Sequence, residues 1–186
     1  MGDRPLRADA RRNREKVVRA AREAFAASGY GVPLDEIAAL AGVGPGTVYR
    51  HFPSKEALFE AVVAARIRDL ADDARRRADG ADPGEAFFGF LGRLAGEAAA
   101  KRDMPDAIEV AGALRQDIFE ALDLLLRHAQ RAGAVRGDIT APDLIVLLKG
   151  LILSVQDTPQ GPAGEAQRER LLAVLADGLR SPGATG

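Results

Sequence analysis

Reactive chemistry has few places to start in this chain. Its 186 residues hold two histidines and no cysteine, which removes thiolate metal sites, iron–sulfur clusters, thiol nucleophiles and disulfides. His51 and His128 stand far apart with no H-E-x-x-H motif around either, so a zinc hydrolase is not expected. Asp72 and Asp73 are adjacent and leave a helix on different sides, which makes them poor paired catalytic carboxylates. The run GVGPG at 42–46 is rich in glycine. Yet Thr47 breaks the G-x-G-x-x-G pattern, no strand precedes it and no lysine follows as in a phosphate loop. No nucleophile stands beside a base. The expectation is a protein that is not an enzyme and takes neither cofactor nor metal. What remains is cationic: Arg4, Arg7, Arg11, Arg12 and Arg14 precede or open the first helix and are able to reach phosphates or a minor groove. Asp3, Asp9 and Glu15 dilute that charge, and a solvated helix face or a disordered tail explains the arginines equally well.

The elements that must position these groups are helical. Strand-like alternation is nearly absent, and apolar residues recur at helical spacing. Val17, Val18, Ala21, Ala24 and Phe25 line a first helix over 10–28, which Gly29 ends. Leu34, Ile37, Ala38 and Ala41 mark a short second helix stopped by Gly42, and Val48 and Phe52 a third over 45–51. A long fourth helix runs to 79, and DGADPG at 79–84 is the clearest break in the chain. Further helices are expected over 85–101, from 105, over 116–132, over 141–155 and over 165–179. Thr140, Pro142 and Asp143 form a helix start with a cap and its reciprocal carboxylate. The predicted fold is therefore all-α, with about nine helices. Hydrophobic residues at 47% and charged residues at 28% describe a soluble globular chain. A net charge of −1 argues against coating by nucleic acid over the whole surface but not against a local basic patch. The amino terminus has no apolar run that reads as a secretory signal. The apolar run 144–155, interrupted by Lys149, has the length of a buried helix and not of a membrane span. A cytoplasmic location is expected, with no membrane partner.

The informative stretch is 34–52, LDEIAALAGVGPGTVYRHF. Two short helices joined by a tight Gly42–Val43–Gly44 turn have the spacing of a helix-turn-helix. Ile37, Ala38 and Ala41 plug the angle between the helices, Gly42 takes the positive φ of the turn, and Val43 inserts into the core. Gly44 and Pro45 start the second helix, whose amino-terminal residues point at base edges in a major groove. Phe52 is expected in the core, and Tyr49 with its ring packed and its hydroxyl outward. His128 reads as structural, Arg75, Arg76 and Arg77 as a solvated helix end, and at least two of Phe87, Phe88 and Phe90 as ordinary core.

The words REKVVRAAREAFAASGYGVPLDEIAALAGVGPGTVYRHFPSKEALFEAV resemble the DNA-binding domain of the TetR family of transcriptional regulators. A softer resemblance lies in AQRAGAVRGDITAPDL at 129–144, which is similar to the connection before the dimerisation helices in many members, with the SbtR-like branch nearest. The resemblance implies that Pro45, Gly46 and Thr47 lead the recognition helix. It gives Tyr49, His51 and Lys55 phosphate contacts, and Arg50 a variable contact to phosphate or base. A guanidinium reading guanine would be worth about 1–3 kcal/mol of discrimination. Arg12 and Arg14 are assigned to the same DNA-binding surface. Two positions depart from the family pattern. Gly44 and Pro33 replace hydroxyl residues that would cap a helix and bond a phosphate, and Asp35 and Glu36 nearby repel DNA.

The resulting expectation is a repressor with a flexible basic arm at 1–9, a helix-turn-helix domain at 10–53, a ligand-binding and dimerisation domain at 54–180, and a flexible tail at 181–186. A homodimer forms through the last two helices, by way of Leu144, Leu147, Leu148, Leu151, Leu171, Leu172, Leu175 and Leu179, and grips a palindromic double-stranded DNA operator. A small, mostly apolar effector binds among Phe87, Phe90, Leu91, Leu94, Met104, Ile108, Leu114 and Phe119, with Glu109, Gln116, Asp117 and Gln156 as polar handles, and releases the DNA. The rival reading is a helical interaction or scaffold protein whose helix-turn-helix no longer binds DNA.

Overall fold

Eight helices are present among the described residues, which in this computed structural model are 3–99, 112–156 and 161–182. They are α1 (Asp3–Ser28), α2 (Leu34–Ala41), α3 (Pro45–His51), α4 (Lys55–Ala78), α5 (Pro83–Ala99), α6 (Gly112–Arg131), α7 (Ala141–Gln156) and α8 (Pro162–Leu179). The expected helix from 105 lies outside the described residues. The chain forms two compact units, divided between Ile67 and Arg68.

In the first unit α1 packs on α2 and α3, and α2 on α3. Val17, Ala21, Phe25, Ile37, Ala38, Val48, Phe52, Leu58 and Phe59 form its buried centre. Each large side chain fully removed from water there contributes about 1.5–3 kcal/mol. Helix α1 opens at Asp3, seven residues earlier than its periodicity predicts. Pro5 does not prevent this, because amides in a first helical turn have no intrahelical partner to lose. Ser54 opens α4: its Oγ accepts the Ala57 amide at 3.2 Å.

The second unit packs α5 against α6, α7 and α8, α6 against α7, and α7 against α8. Phe87, Phe90, Leu91, Leu125, Leu126, Leu144 and Leu179 are fully buried. Helix α5 starts at Pro83 and not at 85, because Asp82 Oδ1 accepts the Glu85 amide at 2.9 Å and caps the turn. The helix start at Thr140 is as expected: the Thr140 amide donates to Asp143 Oδ2 at 3.0 Å, and the Asp143 amide to Thr140 Oγ1 at 3.5 Å. Before it, Gln130 Nε2 donates to the carbonyls of Arg136 and Ile139 at 2.9 and 2.7 Å, folding the connection between α6 and α7. The end of α8 is fastened to that connection, with the Arg136 amide on Leu179 O at 3.0 Å and the Ser181 amide on Ala134 O at 3.3 Å. The first residue of the expected tail is therefore held in place.

Leu144, Leu148 and Leu179 lie in the protomer's own core, 0%, 6% and 2% exposed, and have almost no area left to offer a partner. Among the described residues, the large apolar side chains that do face outward on α7 and α8 are Val146 (69% exposed), Leu147 (42%) and Val174 (71%). Leu151, Leu171, Leu172 and Leu175 are half-buried. A helix that is apolar nearly all round gives no phase, so sequence alone could not say which leucines face inward.

Of the three arginines expected to form a solvated helix end, Arg76 is one, 68% exposed, but Arg75 and Arg77 are not. Arg75 pairs with Asp117 of α6, while Arg77 Nε and Arg93 of α5 both reach Asp73 Oδ2, at 2.7 and 2.8 Å. Asp73 is only 13% exposed. Burial pushes its carboxyl up, but the hydrogen bonds from Arg77 and Arg93 outweigh that and hold it below the ordinary value. His128 is structural, as read: its Nδ1 lies 3.1 Å from Ala78 O at the last turn of α4. Among the described residues, no helix is long and apolar enough to cross a membrane.

Candidate nucleic-acid interface

The recognition element is built around one left-handed residue. Gly42 has φ 67 and ψ 34, and its amide donates to Ala39 O at 3.1 Å while the Val43 amide donates to Ala38 O at 3.0 Å. This pair of bonds is a Schellman motif, which satisfies the last carbonyls of α2 and turns the chain sharply. A residue with a Cβ would be strained at that φ. Gly44 then takes an extended conformation, φ −69 and ψ 148, as the N-cap of α3, and Pro45 stands at its first position. That position suits proline, whose missing amide is not needed there.

Helix α3 has two distinct sides. Val48 is completely buried, and Phe52, whose amide closes the helix on Val48 O at 2.8 Å, is 2% exposed. Pro45, Gly46, Tyr49 and Arg50 face outward, and Thr47 and His51 are half-buried. Tyr49 is 51% exposed, more than a packed ring requires. The outward side thus brings together the expected contact residues of α3, and Lys55 stands at the first position of α4. No side chain caps α2 or α3, since Pro33 and Gly44 offer no hydroxyl. A Cβ built on Gly44 or on Gly46 meets nothing within 4 Å.

Residues 17–62 match the bacterial regulatory proteins of the tetR family, and residues 82–181 match the C-terminal domain of SbtR-like transcriptional regulators. The chain belongs to the TetR family of transcriptional regulators. It is similar to a TetR transcription regulatory protein from Mycobacterium vanbaalenii, with 41% identity, a TM-score of 0.73, and coverage of 95% of this chain and 99% of that one. A TetR transcriptional regulator from Streptomyces coelicolor is 35% identical at a TM-score of 0.76, covering 91% of this chain and 99% of its own. The regulator UidR of Escherichia coli is 28% identical over 198 residues, spanning 95% of this chain and 93% of UidR. This TetR-family protein is thus a helix-turn-helix, DNA-binding regulator of transcription.

Around α3 the other cations divide into two groups. Arg11 pairs with Glu15 at 3.5 Å and Arg12 with Asp9, each within α1, so their charge is partly answered before any DNA arrives. Arg14 lies with Cζ 5.0 Å from the centre of the Phe52 ring, against the end of α3. Lys55 Nζ lies 4.8 Å from the centre of the Tyr30 ring, a cation–π contact. Tyr30, which the sequence reading missed, also donates its hydroxyl to Glu56 Oε1 at 2.9 Å. Burial and that bond push the Tyr30 hydroxyl above its ordinary value, so it keeps its proton and remains the donor. Glu56 is held below the ordinary value, first by a backbone amide and then by the Ser54 and Tyr30 hydroxyls. The available signal was position, since Tyr30 follows the left-handed Gly29 (φ 71) that ends α1.

Of the residues assigned to an effector, Phe87, Phe90 and Leu91 are buried core, and Leu94 and Phe119 are half-buried against that core. Gln116 is exposed and donates to Glu120 Oε1 at 2.9 Å, which takes it out of any interior site. Asp117 is engaged by Arg75. Met104, Ile108 and Glu109 lie outside the described residues, as do the side chains of Leu114 and Gln156.

Proposed function

We propose that this regulator is a repressor that binds a palindromic operator as a homodimer and leaves it when a small, mostly apolar effector binds its second unit. The observation that carries the DNA contact is the two-sided α3. Val48 and Phe52 anchor one side in the core, while Pro45, Gly46, Tyr49 and Arg50 leave the other side open. Thr47 and His51 flank that side, Lys55 extends it onto α4, and Arg14 borders it.

Doubling supplies the affinity that one short helix lacks. A two-fold pair places two recognition helices about 34 Å apart, in successive major grooves. Val146, Leu147 and Val174 support pairing through α7 and α8, because they leave apolar area facing water on two helices that pack together. The effector rests against Leu94 and Phe119, with Phe87, Phe90 and Leu91 behind them. Helix α4 is the link, since its first thirteen residues belong to one unit and the remainder to the other. An effector that favours the DNA-incompetent state by about 3 kcal/mol weakens DNA binding about 150-fold by linkage.

The test is fluorescence anisotropy of the full chain on the duplex upstream of its own coding sequence, over a salt series, with sedimentation to give the stoichiometry. Salt-sensitive binding by a dimer is expected. Salt-insensitive or absent binding refutes the reading and favours a scaffold protein, for which the missing caps at Pro33 and Gly44 give some ground.

A further inference from the structure

We propose that Tyr30 is a positioning residue for the DNA grip: its ring face seats the Lys55 ammonium, and its hydroxyl occupies Glu56, the carboxylate that would otherwise neutralise it. The inference rests on Lys55 as a phosphate contact and adds what holds that lysine ready.

The geometry is compact. The Tyr30 ring is fixed by two aromatic neighbours of the first core, Phe25 with centroids 5.8 Å away and Phe59 at 5.3 Å. Lys55 Nζ stands over the ring at 4.8 Å and Glu56 Oε1 accepts its hydroxyl at 2.9 Å. Two adjacent residues of α4, which ordinarily point apart, therefore converge on a single side chain from α1's far loop. The arrangement matters because of what it leaves free. Arg11 and Arg12 rest on Glu15 and Asp9, and a phosphate must compete with those carboxylates. Lys55 rests on a neutral π face and, among the described residues, enters no ion pair; its charge acts on the neighbouring Glu56 carboxylate only through space, as a minor contribution after the hydrogen bonds that hold Glu56 ionised. A π face orients an ammonium without cancelling its charge. The flexible lysine stem is thereby partly ordered before DNA binds, which removes some of the ordering loss on binding. Glu56, meanwhile, is turned toward the Tyr30 hydroxyl and its own helix start.

The experiment uses the full chain and a mixed-sequence 30-base-pair duplex, because a phosphate contact does not depend on base sequence. Anisotropy is measured over a salt series for wild type, Tyr30→Phe, Lys55→Ala, Glu56→Gln and the combinations. Tyr30→Phe keeps the ring and frees Glu56. It is expected to weaken binding about three- to tenfold, the range for losing the order of one long side chain, and to flatten the salt slope toward that of Lys55→Ala. Adding Glu56→Gln restores both, and Glu56→Gln alone binds at least as tightly as wild type. In a Lys55→Ala background Tyr30→Phe has no further effect, which a merely structural role would not produce. Unchanged affinity and slope in Tyr30→Phe overturn the proposal, as does an equal loss in the Lys55→Ala background. If wild type binds normally and Lys55→Ala changes nothing, the phosphate role of Lys55 is what fails. If wild type shows no salt-sensitive binding, the operator reading itself fails.

Discussion

Replacing Gly46 by alanine is expected to move folding and DNA binding in opposite directions. Gly46 is the second residue of α3, its φ is not positive, and a Cβ built on it meets nothing within 4 Å. Nothing in the folded chain therefore requires a glycine. Glycine in a helix costs about 0.5–1 kcal/mol relative to alanine, through the freedom it loses on folding. In a chain of this size 1 kcal/mol corresponds to about 2–4 °C in Tm, so Gly46→Ala should raise Tm by about 1–4 °C. In the proposed complex the same methyl stands on the outward side of α3, where the backbone approaches the duplex. Forcing a methyl into a close-packed contact costs about 1–3 kcal/mol, and 1.4 kcal/mol is a factor of ten. A loss of about tenfold or more in duplex affinity is expected, doubled in free energy for a dimer. Calorimetry on the free protein and anisotropy on the duplex read the two effects separately. A variant that melts higher and binds DNA as well as wild type would refute the close approach of α3 to DNA. One that melts lower would refute the claim that the fold has no need of this glycine.

Three further outcomes follow from the same geometry. Gly44→Ser restores a hydroxyl at the N-cap of α3, where a Cβ has open space, and should stabilise the chain by a few tenths of a kcal/mol while tightening duplex binding, both read as above. Asp73→Asn removes the acceptor shared by Arg77 and Arg93 and should destabilise by about 1–3 kcal/mol in urea unfolding. Because the folded Asp73 carboxyl titrates below its ordinary value, its contribution is complete above about pH 4 and is lost as pH falls through the folded value, so the wild type should lose stability in acid faster than Asp73→Asn does. Val174→Asp, at a position 71% exposed in the protomer, should leave the unfolding free energy of the protomer within about 0.5 kcal/mol yet convert the proposed dimer to monomer in sedimentation, and a dimer that survives would move the interface elsewhere.

The helix-turn-helix was legible because its cues are local. Ile37, Ala38, Val48 and Phe52 follow from spacing, and Gly42 from the turn that needs a left-handed residue. The Thr140–Asp143 cap was equally local. What escaped was every interaction between residues distant in sequence. Asp73 reads as one of two exposed acids beside three arginines, and only the approach of α5 and α6 brings Arg93 and Asp117 to that cluster. Tyr30 reads as a loop aromatic until α4 lays Lys55 and Glu56 across it. Helix α7 failed for a different reason. With apolar residues on nearly every face it gives no preferred phase, so Leu144 and Leu148 could be taken for interface as readily as Val146.

Net charge is a poor guide to this interface, and the reason yields a last prediction. The chain carries 26 basic and 27 acidic residues, but the structure sorts them. Arg75, Arg77 and Arg93 are tied to Asp117 and Asp73, Arg127 to Asp123, and Arg136 to Asp138. Arg11 and Arg12 are held within α1. Around α3, Arg14, Arg50 and Lys55 enter no ion pair among the described residues. Three such cations per subunit make six in a dimer, and at about 0.9 per neutralised phosphate they give a logarithmic salt slope of about −5. Recruitment of Arg11 and Arg12 to phosphates in both subunits would steepen it to about −9. A measured slope nearer −9 would show that DNA pulls Arg11 and Arg12 away from Glu15 and Asp9. A slope of about −5 that flattens by about 2 in Lys55→Ala would place about a third of the electrostatic grip on the lysine seated over Tyr30.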